Sequence, residues 1–277
     1  MRVLLTALLC MLLSVPAFAA MQHTTVLSAQ TSFGKNAAVI PVIDGSNEAD
    51  LEKQANNIIR DKAEELAKKT GGQVTYEVTM NRPSLVSILL KAEGSETVYQ
   101  GVNIDLTTGR EFTMGDFFTE TEQLSSILGS YEDFVFGENG VYLRRAGQHA
   151  YNDFVPYSKI ITSMRIGSAG RLVQIAKLTQ NAADKTLHIK AGNLLALKLY
   201  SNPSTGYRWE AVADEGVKKV GSSFIMPRED NRTGVTGTEI MVLAAQKAGT
   251  YLVTMEYKRP WEKQGLNKFS FTIVVED

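Results

Sequence analysis

Apolar and polar residues alternate with a period of two along most of this chain, and in one long stretch they recur instead at the spacing of a helix. Leu51, Ala55, Ile58, Ile59, Ala63 and Leu66 share one face, Glu48 and Asp50 put negative charge in the first turn, and Gly71-Gly72 ends the run. A helix is predicted there, with Ser46 or Asn47 as its cap. Before it, residues 39–43 (Val-Ile-Pro-Val-Ile) read as a short strand. After it, residues 74–80, 85–91 and 98–106 read as strands, joined by turns at Asn81-Arg82-Pro83 and Thr107-Thr108-Gly109. A weaker helical pattern covers residues 120–128. Phe134-Val135-Phe136 and Val141-Tyr142-Leu143 then flank Gly137-Glu138-Asn139-Gly140, a sequence suited to a hairpin. These elements predict an α+β domain over about residues 30–165, built on an antiparallel sheet.

Beyond it the pattern becomes strand-like almost throughout. Leu187 and Ile189, then Leu195, Leu197 and Leu199, then Tyr251, Val253, Met255 and Tyr257, then Phe269, Phe271, Ile273 and Val275 mark one face of successive strands. Seven or so short strands in about a hundred residues predict an all-β sandwich over residues 170–277. The join is expected at residues 163–171, where Gly167-Ser168-Ala169-Gly170 supplies small, flexible residues.

The first twenty residues change the picture of where the chain acts. Arg2, an apolar run over residues 3–13, Pro16 and the small-x-small ending Ala17-Phe18-Ala19 have the layout of a cleaved export signal. The apolar run is shorter than the roughly twenty residues of a spanning helix. Residues 1–20 are therefore read as a signal peptide, the protein as exported, and the mature chain as having no membrane span. Cys10, the chain's one cysteine, lies inside that signal, so disulfides, thiol catalysis and thiolate metal sites are excluded from the mature chain. With 29 Lys plus Arg against 30 Asp plus Glu, no net field favours nucleic acid.

Candidate chemistry is sparse. His23, His149 and His188 are too scattered for a ligand cluster, and Asp105, Asp116, Glu120 and Asp133 read as solvated turn carboxylates and not as a general acid and base. No phosphate-loop signature is present. No catalytic residue, metal site or cofactor is expected, and the protein is read as a non-enzyme.

What the sandwich offers instead is a set of loop tips. Asn202-Pro203-Ser204-Thr205-Gly206-Tyr207 is a narrow turn: Pro203 fixes its own φ, Asn202 can bond nearby backbone, and Gly206 permits positive φ. Gly234-Val235-Thr236-Gly237 and Arg259-Pro260-Trp261 follow. Each tip alone also reads as an ordinary turn. Trp261 stands in a polar loop and is expected to be exposed, whereas Trp209, at the start of the next strand, is expected in the core.

Together, in this order and spacing, the three tips resemble the chagasin family of proteinaceous inhibitors of papain-like cysteine proteases, with the likeness confined to about the last 110 residues. The family pattern is an Asn-Pro-Thr-Thr-Gly-aromatic loop, a glycine-rich loop and an Arg-Pro-Trp loop on an immunoglobulin-like sandwich. Ser204 replaces the first tip threonine, and Thr236 stands where glycine is usual. The resemblance implies a reversible, tight-binding inhibitor whose partner is a papain-like cysteine protease. Asn202 to Gly206 would then enter the centre of the cleft, the other two loops would grip its sides, and a monomer is expected. A cell-envelope adhesion or glycan-binding module on the same sandwich is the alternative. The N-terminal half resembles an uncharacterised α+β domain of exported bacterial proteins found beside cell-wall deacetylase domains. That likeness rests on Pro41-Val42-Ile43-Asp44-Gly45 and on Asn103-Ile104-Asp105-Leu106-Thr107-Thr108-Gly109.

Overall fold

Gly71 takes a left-handed φ of 65° and donates its N–H to the Ala67 carbonyl, so helix α1 (Ala49–Thr70) stops where the glycine pair predicts. This computed structural model describes residues 24–45, 48–118, 121–226 and 236–277. The expected export signal over residues 1–20, the cap at Ser46 or Asn47, His23, Glu120, and Gly234 and Val235 of the middle tip lie outside the described residues. Contacts within the chain divide it into two compact units. One holds the residues up to Val155 together with Gly167–Leu172, and the other holds Pro156–Ile166 with Val173–Asp277.

In the first unit, β1 (Thr25–Phe33), β2 (Asn36–Asp44), β3 (Gln73–Arg82), β4 (Leu85–Glu93), β5 (Thr97–Asp105) and β6 (Arg110–Glu111) form a six-stranded sheet in sequence order. The pairings are antiparallel as expected, with one exception. β2 and β3 meet in parallel at Ala38 and Val74, because α1 is the crossover that returns the chain in the same direction. Ala55, Ile59, Ala63 and Leu66 of α1 pack on Val74, Ile88, Leu90, Val102 and Ile104 of the sheet. β1 has no clean alternation and was not predicted; it is held by pairing with β2 over its whole length.

The predicted hairpin forms as β7 (Asp133–Gly137) and β8 (Gly140–Arg144), joined by β9 (Asp153–Pro156) in a three-stranded sheet. A short polar relay ties it to the larger sheet. Ser87 Oγ donates to Asn103 Oδ1 at 2.5 Å, Asn103 Nδ2 donates to the Phe134 carbonyl at 2.9 Å, and the Phe136 N–H donates to Ser87 Oγ at 2.9 Å. Helix α2 (Thr121–Leu128) covers most of the stretch of weaker periodicity.

Of the carboxylates read as solvated turns, Asp105 and Asp133 are instead structural, while Asp116 stays exposed. Asp105 is buried and receives both terminal nitrogens of Arg171, at 2.6 and 3.1 Å, plus the N–H and hydroxyl of Thr107. Asp133 accepts the backbone N–H groups of Gly101 and Phe134 and the Tyr151 hydroxyl. Asp116, exposed, closes a capping box with Thr113. Unpaired burial of a carboxylate costs several kcal/mol, about 3–5 when one partner of a buried pair is removed, which is why such positions carry dedicated donors.

In the second unit, two four-stranded sheets face each other: β10 (Ile175–Thr179), β12 (Leu194–Ser201), β15 (Gly237–Ala245) and β14 (Val217–Ile225) in the order β10-β12-β15-β14, and β11 (Thr186–Lys190), β17 (Asn267–Glu276), β16 (Gly249–Lys258) and β13 (Arg208–Val212) in the order β11-β17-β16-β13. Leu195, Leu197, Leu199, Met241 and Leu243 from one sheet meet Trp209, Val253, Met255, Phe271 and Ile273 from the other in a single core. This is the predicted sandwich. Its edge pairs β10/β12 and β11/β17 are parallel, so it is not wholly antiparallel.

One face departs from simple alternation. Leu194 and Ala196 of β12 and Ile240, Val242 and Ala244 of β15 point away from the core and are nonetheless buried. Helix α3 (Tyr157–Ile160) and the single turn after it belong to this unit, and Tyr157, Ile160, Ile161 and Met164 are buried. Ile166 Cδ1 lies so close to Gly221 that a Cβ there would come within 2.9 Å of it, and Tyr157 abuts Gly192. The flexible joint expected from Gly167-Ser168-Ala169-Gly170 is instead helix α4 (Ile166–Leu172), with Ala169 and Leu172 buried.

Candidate functional site

Strand register brings the tips together before any loop contact is considered. In one sheet Ser201 pairs with Gly237, so the first tip leaves β12 where the middle one enters β15. In the other, Arg208 pairs with Lys258, so the first tip re-enters β13 beside the point where the third begins. Residues 202–207 thus bridge the two sheets at one end of the sandwich. Of the middle tip, Thr236 is exposed and Gly237 is buried in the ladder.

The first tip is a single 3-10 turn, Pro203–Thr205, entered at Asn202 and closed by Gly206 at φ 80°. Pro203 suits the first position because it has no N–H to leave unsatisfied. The Thr205 N–H donates to the Asn202 carbonyl and the Gly206 N–H to the Pro203 carbonyl, at 3.2 and 3.1 Å. Both hydroxyls turn inward as donors: Ser204 Oγ to Asn202 Oδ1 at 2.7 Å, and Thr205 Oγ1 to the Asn202 carbonyl at 2.6 Å. Pro203, Ser204 and Thr205 are exposed.

The third tip is a β-turn in which the Glu262 N–H donates to the Arg259 carbonyl at 3.0 Å. Pro260 takes the second position, where its fixed φ fits, and Trp261 takes the third corner. That corner projects away from the strands, and Trp261 is 74% exposed, while Trp209 is 3% exposed in the core. Both tryptophan expectations hold. Arg259 turns back to the first tip: its Nε donates to the Thr205 carbonyl at 3.0 Å, and its guanidinium lies 4.5 Å from the centre of the Tyr207 ring.

Beneath the tips the aromatic side chains form a column. Phe269 meets Trp209, Trp209 meets Tyr257, and Tyr257 meets Tyr207, with centroids 5.1–5.5 Å apart. Each polar end is used. Trp209 Nε1 donates to the Tyr200 carbonyl at 2.8 Å, and the Tyr257 hydroxyl accepts the Asn202 N–H at 2.8 Å. The Tyr207 hydroxyl donates to Glu262 Oε1 at 3.2 Å. Desolvation, then the bond and charge of Glu262, push the Tyr207 phenol up, so it stays a donor through the neutral range.

The curled polar turn of the first tip and the projecting Trp261 indole thus lie side by side at one end of the sandwich. Residues 188–275 match the Chagasin family peptidase inhibitor I42. That family consists of protease inhibitors and not enzymes. The matched segment is 29% identical over 102 residues to Amoebiasin-2 of Entamoeba histolytica, covering 35% of this chain and 83% of that protein. It is 28% identical over 106 residues to Chagasin of Trypanosoma cruzi, covering 36% of this chain and 96% of that one. Among solved structures, the cysteine protease inhibitor EhICP2 from Entamoeba histolytica is 28% identical, covering 37% of this chain and 96% of that one, with a TM-score of 0.34.

Within the inhibitor-family segment, Tyr257 and Glu262 are the residues that sequence reasoning missed. Tyr257 was read as one more core position, although it stands in the column between Trp209 and Tyr207 and its hydroxyl holds the Asn202 N–H of the first tip. Glu262 stands three residues after Arg259, a spacing that one turn closes, and that was the available signal.

Proposed function

We propose that the protein is an exported, reversible, tight-binding inhibitor of papain-like cysteine proteases, with the three loop tips occluding the catalytic cleft. The observation that carries the reading is the coupling of the first and third tips through the Arg259 bond to the Thr205 carbonyl. A protease acts on a carbonyl that is free to meet its nucleophile at about 3 Å and in line. Here the Asn202, Pro203 and Thr205 carbonyls are all engaged within the protein, in a curled turn. Such a tip can fill a cleft without presenting a bond in attack geometry, and its rigidity lowers the entropy lost on binding.

In this reading Asn202 to Tyr207 form the central wedge and Trp261 an apolar anchor at its side. Arg259 and Pro260 hold that anchor, and residues 234–237 contact the opposite wall. The test is titration of the mature chain against a panel of papain-like proteases, with mass spectrometry of the mixtures. Competitive inhibition with an intact chain and no adduct is expected. Absence of inhibition across the panel would leave the adhesion or glycan-binding alternative standing, and cleavage within residues 202–206 as the cause of inhibition would refute the mechanism.

A further inference from the structure

We propose that Glu262 is a positioning residue for inhibition, setting the shape of the first tip from within the third; this rests on the inhibitory reading above. One oxygen, Oε1, accepts both the Tyr207 hydroxyl at 3.2 Å and Arg259 Nη1 at 3.4 Å. Tyr207 is the last residue of the first tip, and Arg259 reaches that tip from the third. Tyr207 follows Gly206 in the chain and carries the Arg259 guanidinium over its ring, and Arg259 Nε reaches the Thr205 carbonyl. The carboxylate therefore orients the guanidinium from one side while the tip carbonyl receives it on the other.

The arrangement is economical in freedom. Arg259 has many rotamers, and holding it on Thr205 without a second partner would forfeit that entropy for one bond. The Glu262 carboxylate and the Tyr207 ring share the task, and the turn N–H of Glu262 on the Arg259 carbonyl keeps the two side chains on one short loop. With the carboxylate removed, the guanidinium returns to solvent and the tip samples turns other than the one described. Only the fraction of molecules with the correct turn then binds, and apparent affinity falls by that fraction.

The experiment compares the full mature chain with Glu262→Ala and Glu262→Gln, measuring inhibition constants on one papain-like protease, hydrogen exchange of the Thr205 and Gly206 amides in the free inhibitor, and thermal melts. Both amides are bonded inside the turn, so they report its shape directly. For Glu262→Ala we expect inhibition weakened about fivefold, the scale of a partly exposed ionic network, with faster exchange at both amides and an unchanged melting temperature. Glu262→Gln keeps an acceptor oxygen and should fall between it and the parent. Weakened inhibition with unchanged exchange would make Glu262 a protease contact and overturn the proposal. So would inhibition within about twofold of the parent, whatever the exchange does. If the parent chain itself inhibits nothing, the functional reading fails first, and that outcome is separately visible.

Discussion

At the scale of single residues, the two exposed features of the site differ in what they have left to offer a partner. Ser204 spends its hydroxyl hydrogen on Asn202 Oδ1, so Ser204→Ala should weaken inhibition by no more than about 1 kcal/mol. Trp261 has no such commitment and carries a large stiff surface, so Trp261→Ala should cost about 2–4 kcal/mol, read as a ratio of inhibition constants on the same protease. A larger loss from Ser204→Ala would place binding chiefly in polar contact at the centre of the cleft. Gly206→Ala tests the backbone alone. A Cβ there would meet nothing closer than Trp261 at 3.7 Å, yet φ is positive, so about 1 kcal/mol of strain is expected in melts, with weaker inhibition. Much of this was legible in the chain: Pro203 and Gly206 punctuate the turn, and the polar run after Trp261 foretold its exposure. The brace from Arg259 and Glu262 was not, because a cross-loop contact leaves no local period in sequence.

At the scale of elements, alternation marked the strands whose neighbours bury one face cleanly and missed β1, whose few core contacts, from Val26, Ala29 and Phe33, follow no period of two. β1 mixes Ser, Gln and Thr with Val, Leu and Phe and owes its place to the β2 ladder. β12 and β15 contain unbroken apolar runs at residues 194–197 and 240–245, since the sheet is buried on both sides at those positions. Helix α4 was misread because its glycines suggested a joint, whereas Arg171 anchors it through Asp105 and the Ser84 carbonyl. Burial by itself would raise the Asp105 carboxyl, but the hydrogen bonds from Arg171 and Thr107 and the charge of Arg171 outweigh it, and the group titrates below its ordinary 3.8. A depressed folded value means the stabilisation is complete above the unfolded value and is lost as pH falls through the folded one. Asp105→Asn should therefore destabilise the chain by about 2 kcal/mol near neutrality, less than a fully buried pair would cost because Arg171 is partly exposed. The deficit should shrink below about pH 4, as followed by urea unfolding across a pH series. A deficit independent of pH would assign the loss to packing.

At the scale of the whole molecule, the sandwich is not confined to the segment that matches the inhibitor family. Pro156–Ile166 is grouped with it, and Tyr157 and Ile166 sit against Gly192 and Gly221. A chain beginning at Pro156 should accordingly melt higher and aggregate less than one beginning at Val173, in which Gly192 and Gly221 would lose Tyr157 and Ile166 as neighbours. Equal melting temperatures would show that this face is stable when bare. The chain also has only two tryptophans, one at 3% exposure within the aromatic column and one at 74% on the third tip. They form a pair of native optical probes. Trp209 should emit at short wavelength and report unfolding of the sandwich, while Trp261 should emit as a hydrated indole, be accessible to iodide, and shift to the blue when a partner covers it. With Trp261→Phe as the spectral blank, engagement and folding become separately readable in one unlabelled sample.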